Sequence, residues 1–441
     1  MRFVAALAAC GDRRSKLPDS PRQEALMLQN VTITPARRSL EFGIYRDGDN
    51  NLDAIQESTL SQALRTSARD PRIEFTVEDT TALRAPFHKA AGDKVGRLHT
   101  DEYTISDGDV GNVRSYKAAD MSDEANLARF VARTLDNAQA SGAKQTWIDL
   151  VDHGGGDGGG LETGDGSVMS MPDIAKAISD GLAMHAAAHP DDARRSIDGV
   201  VANQCLMDTM GFADALSTAG VRYLAASPET MLAPGVPSDV AHTIASYGND
   251  PKTMAKSVVN DVMRTKYDAG DLGAFGPAAA FDVLDLDPAK MRLAESSIKR
   301  LNDDVGAEAG ANGVRGIVRQ DARAIQGMVR FPDASKDMPW RADRPAIAFY
   351  DTLAGDGRLD ARLRNDAGAA ADAVGSLVLA HRESDEFAPF GGADYSDAAG
   401  PTIHLPTTRY QIDPWASAGV VETKNAFYKD VDEDAMTGVL A

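Results

Sequence analysis

Between residues 39 and 227 short β-prone runs alternate with stretches of helical length, and few architectures accommodate such an alternation. SLEFGIY (39–45) passes through the turn-rich DGDNN into a stretch with apolar Leu52, Ile55, Leu60 and Leu64 that reads as a helix. IEFTVE (73–78) and the segment around 94–115 read as further strands. Ser122, Asp123 and Glu124 mark a helix start, and Leu127, Phe130, Val131 and Leu135 follow at helical spacing. WIDLVD (147–152), a helix over 172–188, IDGVVAN (197–203), a helix over 206–218 and VRYLAAS (221–227) continue the pattern. Strands joined through helices form right-handed crossovers, which cover a mainly parallel sheet on both faces. The fold class is α/β. After residue 250 helices dominate, near 251–267, 288–305 and 359–381, with β-prone runs at 279–286, 345–350 and 402–405. The reading is a sheet domain over 38–250 with a helix-rich C-terminal region, 251–441, packed on it.

The 441 residues, 43% hydrophobic and 25% charged, are enough for a large core, and no run approaches the roughly 18 apolar residues of a spanning helix. A net charge of −20 repels a phosphate backbone, so nucleic acid is not an expected partner. The start, MRFVAALAAC, joins a basic Arg2 to an apolar run and small residues before Cys10, as an export signal does. Its LAAC resembles the bacterial lipobox. Residues 1–10 are read as a lipoprotein signal and the polar, non-periodic 11–37 as a flexible tether. The expected location is the bacterial cell envelope, with lipid on Cys10 as the membrane contact. Cys205, the second of two cysteines, is then a lone thiol.

In doubly wound sheets ligands bind beyond the carboxyl ends of the strands. WIDLVD runs directly into His153, and IDGVVANQ runs directly into Cys205. One crossover helix fits between them, so the two strands can be neighbours, and thiol with imidazole is the minimum for cysteine nucleophilic catalysis. A helix starting after Cys205 would favour the thiolate. The glycines after His153 allow close approach of a substrate, so the amides of Gly154 and Cys205 would hold an oxyanion while His153 protonates the leaving amine. The plainer readings are a buried structural Cys205 and a His153 bonded to a loop carbonyl. GGGDGGG lacks the ending and spacing of a phosphate loop, and no G-x-S-x-G occurs. His185 and His189 stand four apart without the Glu of a zinc helix and read as surface helix. DGDNN fails the calcium-loop pattern at Leu52 and Ser58. No metal and no cofactor are expected.

Together, WIDLVDHGGG, VVANQCLM and YLAASPET before Pro234 and Gly235 resemble the clostripain family of cysteine peptidases, related to caspases, legumains and gingipains. DGDNNLDAIQ, FDVLDLDPAKM and GPTIHLPTT extend the resemblance from about residue 39 to about 408. In caspases, too, the catalytic His lies about 50 residues before the Cys. The resemblance implies a caspase-like αβα sandwich with a helical C-terminal subdomain, and a catalytic domain over 38–250. It also implies an endopeptidase acting on proteins or peptides, with Cys205 as nucleophile and His153 as general acid. Cleavage after Arg or Lys is implied as well, through an Asp two positions before the nucleophile. Here that position is Asn203, whose neutral amide does not pair Arg as a carboxylate does. Asp239, beyond the loop starting at Ser227, is the candidate replacement in the substrate pocket. Gly211 stands where the family usually has Glu. Self-cleavage between His and Cys, common in the family, would fall at Lys176, Arg194 or Arg195. A reading from another class is a catalytically silent, lipid-anchored binding or assembly protein of the same fold.

Overall fold

The computed structural model describes residues 38–82, 97–232, 234–268, 274–308, 313–330, 342–384, 394–407, 426–431, 436 and 440. Cys10, the expected signal (1–10) and the tether (11–37) lie outside them. The run Leu40–Asp47 is buried at every position, as a strand covered on both faces must be. This strand, β1, sits inside a nine-stranded sheet. The others are β2 (Ile73–Thr81), β3 (His99–Ser106), β4 (Asp109–Lys117), β5 (Gln145–Val151), β6 (Ile197–Asn203), β7 (Val221–Ala226), β8 (Ala280–Asp285) and β9 (Val378–Glu383). Their spatial order is β9-β8-β7-β6-β5-β1-β2-β3-β4. The five middle strands, β7 to β2, run parallel, and the pairs at both edges are antiparallel.

Alternate residues of the middle strands feed two apolar layers. On one face Leu40, Phe42, Trp147, Val151 and Val201 pack against helices Asp53–Arg69, Val240–Tyr247 and Pro251–Arg264. On the other, Ile148, Leu150, Val200 and Ala202 pack against Glu124–Ser141, Met171–Ala188, Met210–Thr218 and the helices after residue 288. The result is the expected αβα sandwich. Trp147 fits because its partner across the β5–β6 ladder is Gly199, where a Cβ would lie 2.4 Å from the indole. The Trp147 indole then reaches β7 and stacks on Tyr223.

Helix Glu124–Ser141 starts as expected, with the Asp123 side chain accepting from the Ala125 N–H, and Leu127, Phe130, Val131 and Leu135 are all buried. Three sequence expectations need correction. The β-prone run 345–350 is a strand only over Asp343–Pro345 and then a helix, Ala346–Gly355, buried at Phe349, Tyr350 and Leu353. The helix expected over 359–381 ends at Gly375 and gives way to β9. The helix after Cys205 begins only at Met210, because Leu206 turns the chain at φ +65° and Thr209 caps the helix by accepting from Phe212 N–H. The region after residue 250 supplies β8 and β9 to the common sheet, and the described residues form one compact unit. Among the described residues no helix is long and apolar enough to cross a membrane.

Candidate active site

The chain lays β2 to β4 on one side of β1 and then returns to place β5 to β9 on the other. Loops leaving β1 and β5 therefore diverge, and the crevice between them is where such sheets bind ligands. The loop after β1 is tightly built. Gly48 donates to Thr80 O (2.7 Å) so closely that a Cβ would lie 2.4 Å from that oxygen. Asn50 accepts from Leu52 N–H and donates to Asp152 Oδ1 (2.6 Å) and Glu162 O (2.9 Å). The Asn51 carbonyl oxygen meets His153 Nε2 at 2.7 Å. An amide oxygen only accepts, so Nε2 carries a proton and the other ring nitrogen, Nδ1, faces away from this bond.

On its other side the His153 segment follows β6. Val151 and Asn203 are partners in the ladder, and Asp152 N–H donates to Asn203 O (3.4 Å). The Gln204 amide donates to the His153 carbonyl (2.9 Å). A Cβ on Gly154 would lie 2.3 Å from Cys205 O and 3.0 Å from Cys205 N, so only glycine admits this approach. Among the described residues neither the Gly154 nor the Cys205 N–H donates a hydrogen bond. Two donors unengaged among the described residues thus stand where the Gly154 and Cys205 backbones meet.

Cys205 is half-buried, at the edge of the same apolar layer as Val151 and Val201. Its sulfur accepts from Met231 N–H (3.2 Å), and the thiol points to Met231 O (3.6 Å). Burial pushes the thiol up to about 11; the Met231 N–H opposes this, and Glu229 and Asp152 add to it. No hydrogen bond joins Cys205 to His153, so each reactive group is held by a partner of its own. A small apolar cluster of Leu206, Met328, Val329, Tyr395 and Ala398 packs against the cysteine. Buried Glu229 fixes part of that cover by accepting from the N–H groups of Val329 (2.9 Å) and Arg330 (3.1 Å).

The remaining sequence candidates are more dispersed. Asn203 is buried, with its oxygen accepting from Val236 N–H (2.8 Å) and its amide donating to Val236 O (3.3 Å). Gly235 adopts φ +81°, and a Cβ there would overlap the Asn203 oxygen, so residue and loop fit as a unit. Ser227 is buried and its hydroxyl serves the backbone of Glu229. Asp239 is half-exposed, bonded to Thr66 and ion-paired with Arg69 (2.5 Å). Lys176 lies within helix Met171–Ala188, paired with Glu124 and Asp180. Arg194 and Arg195 occupy the loop before β6, where Arg194 pairs with Asp192 (2.8 Å) and Arg195 is exposed. Sequence reasoning missed Asn50, Asn51, Gln204 and Glu229. The DGDNN turn carries the only signal for the first two, and a turn-rich acidic run does not reveal which partners its asparagines meet.

No family model matches the chain, and no curated protein is similar to it in sequence. Solved structures are similar in fold. A secreted C11 cysteine protease from Bacteroides thetaiotaomicron, in complex with an irreversible peptide inhibitor, gives a TM-score of 0.60 at 15% identity. That match covers 90% of this chain and 99% of the other. An inactive zymogen C11 protease from Parabacteroides distasonis gives 0.57 at 15% identity over 90% and 99% of the two chains. A secreted Bacteroides thetaiotaomicron C11 protease, "iotapain", gives 0.55 at 12% identity over 92% and 99%. The chain has the fold of C11, clostripain-family, cysteine proteases.

Proposed function

We propose that this chain is an exported cysteine endopeptidase in which Cys205 is the nucleophile and His153 the general acid. The observation that carries the reading is the pair of unengaged N–H groups, Gly154 and Cys205, brought together by a glycine that touches the Cys205 backbone. A peptide carbonyl oxygen placed between them would have its developing charge stabilised as the sulfur attacks. Asn51 occupies Nε2, which leaves Nδ1 of His153 to accept the thiol proton and pass it to the departing amine. Water then cleaves the thioester and restores the thiol. At rest the thiol is protonated and partly covered, so substrate binding or displacement of the Met328–Arg330 cover must precede attack.

Preference for Arg or Lys before the scissile bond follows from the family resemblance alone. Asn203 offers a neutral amide already bonded to Val236, and Asp239 is neutralised by Arg69. Both support a looser preference than a buried carboxylate would impose. Anchoring through Cys10 completes the reading and is tested by whether Cys10→Ala moves the chain out of the membrane fraction.

The catalytically silent reading draws on one observation, the thiol held up at about 11 without a bond to His153. Peptide ketones that alkylate activated thiolates separate the two. Wild type should acquire one adduct, on Cys205, at neutral pH with at least one residue type in the first pocket. Cys205→Ala should acquire none, and His153→Ala should react about 100-fold more slowly. No adduct across a full panel of first-pocket residues would establish the silent reading.

A further inference from the structure

Outside the Cys205 site, helices Glu124–Ser141 and Met171–Ala188 pack together and bring Asp136, His185 and, just past the end of the second helix, His189 to one point. The sequence shows two histidines four residues apart and no third ligand, because Asp136 comes from a different helix. In the structure Asp136 Oδ1 lies 2.7 Å from His185 Nδ1 and 3.2 Å from His189 Nε2. The two imidazoles thus converge on one carboxylate oxygen, with ring centroids 4.9 Å apart. The opposite nitrogen of His185, Nε2, faces Asp192 Oδ2 at 3.3 Å, and Arg194 holds that carboxylate at 2.8 Å.

This arrangement places cationic demand at a definite spot. His185 Nδ1 faces the Asp136 carboxylate at 2.7 Å and Nε2 faces Asp192 at 3.3 Å, so both ring nitrogens meet an anion, whereas an imidazole with one proton can donate to only one of them. His185 is fully buried, and an unpaired contact of that kind is costly. One dication between the three groups removes the conflict for both histidines at once. We propose that Asp136, His185 and His189 form a binding site for a transition-metal dication of the zinc class, with Asp192 as the outer carboxylate that orients His185. Metal-bound histidines characteristically donate their second nitrogen in this way. Bonds of about 2.0–2.1 Å in tetrahedral geometry separate ligand atoms by about 3.3 Å. The two contacts to Asp136, 2.7 and 3.2 Å, therefore open by less than about an ångström, and Asp136 and His189, at 45% and 34% exposure, have room to move. Their exposed side leaves the fourth position to water. The site would fasten the two helices to the loop carrying Arg194.

The test uses the full chain carrying Cys205→Ala, so that the thiol contributes no ligand. Metal-free protein is titrated with Zn2+ by calorimetry and with Co2+ by visible absorption. One equivalent of Zn2+ should bind, and Co2+ should give the intense bands of a four-coordinate ion. His189→Ala and Asp136→Asn, both surface changes, should each weaken binding at least about 100-fold, and Asp192→Asn about 10- to 100-fold. Zn2+ should raise the melting temperature of the parent and not of His189→Ala. The proposal fails if no equivalent binds, if binding persists unchanged in His189→Ala, or if His153→Ala abolishes it instead. Failure by the first route would assign the cluster to an imidazolium held between carboxylates.

Discussion

A single methyl group at position 154 would stand 2.3 Å from the Cys205 carbonyl oxygen, so Gly154→Ala forces the tails of β5 and β6 apart. If the two free amides hold the oxyanion, the substitution should lower kcat about 100- to 1000-fold with little change in KM. Steady-state kinetics beside a thermal melt distinguishes this from unfolding. A small effect on kcat in a folded variant would remove Gly154 from the mechanism. Asn51 acts through His153, whose Nε2 it holds at 2.7 Å. Asn51→Ala should reduce kcat about 10- to 100-fold, and Asn51→Asp, which keeps an acceptor, should recover most of it. Equal losses in both variants would mean that the side chain merely packs. Of these residues His153, Gly154 and Cys205 were legible in the sequence, since each stands directly past a β-prone run. Asn51 was not, because its partner depends on β1 lying next to β5, which no local pattern reveals. The Met231 backbone that holds the sulfur comes from a loop 26 positions on and was equally invisible.

At the scale of elements, alternation of strand and helix specified the sandwich, while its edges escaped. The run AIAFY is apolar enough for either a buried strand or a buried helix, and tertiary packing selected the helix. β9 was hidden in a continuous helix-like pattern, and its pairing with β8 supplies the hydrogen bonds that override local propensity. The β5–β6 contact was legible only as two strands; the indole lying over Gly199 was not. Trp147→Ala should cost about 3–5 kcal/mol. Gly199→Ala should destabilise the wild type, yet become tolerated in Trp147→Ala, a coupling of about 1 kcal/mol or more by denaturant melts. Additive effects would show that the close approach relaxes freely. The loop holding Arg194 and Arg195 enters β6 at its amino end, whereas Cys205 follows its carboxyl end. Seven residues at about 3.3 Å each separate them by roughly 20 Å. Any self-cleavage there must pass between molecules, and Lys176, inside a helix, is a poorer target. The cleavage rate followed by intact mass should rise with the square of protein concentration. Dilution-independent cleavage would rule out the intermolecular route.

Across the whole molecule, burial of acidic groups determines how stability responds to pH. Asp47, Glu78 and Asp157 are each pushed by burial up to about 7. Arg133 opposes the rise at Glu78, and Asp343 reinforces it at Asp157. The folded chain therefore holds protons on these groups that the unfolded chain has already released near pH 4, so stability falls as pH rises from about 4 to about 7. His381 acts in the same direction by another cause. Burial alone would lower it, but Asp282 and Glu383 raise it to about 9, so its contribution is complete below about 6.5 and is lost as pH rises through 9. Asp70 has the opposite sign, since the Arg72 hydrogen bonds hold it down at about 2. Its contribution is present above about 4 and disappears only as pH falls toward 2, outside the neutral range. A net charge of −20 adds self-repulsion as the last carboxyls ionise. The melting temperature should accordingly be highest near pH 4 and drop by several degrees, roughly 5–10 °C, by pH 8.5. Calorimetry across that range tests the sign, and Asp47→Asn, which keeps the acceptor for Asp49 N–H, should flatten the decline. A melting temperature that climbs between pH 5 and 7 would mean that these carboxylates are ionised and paired in the folded chain, contrary to the burial described for them.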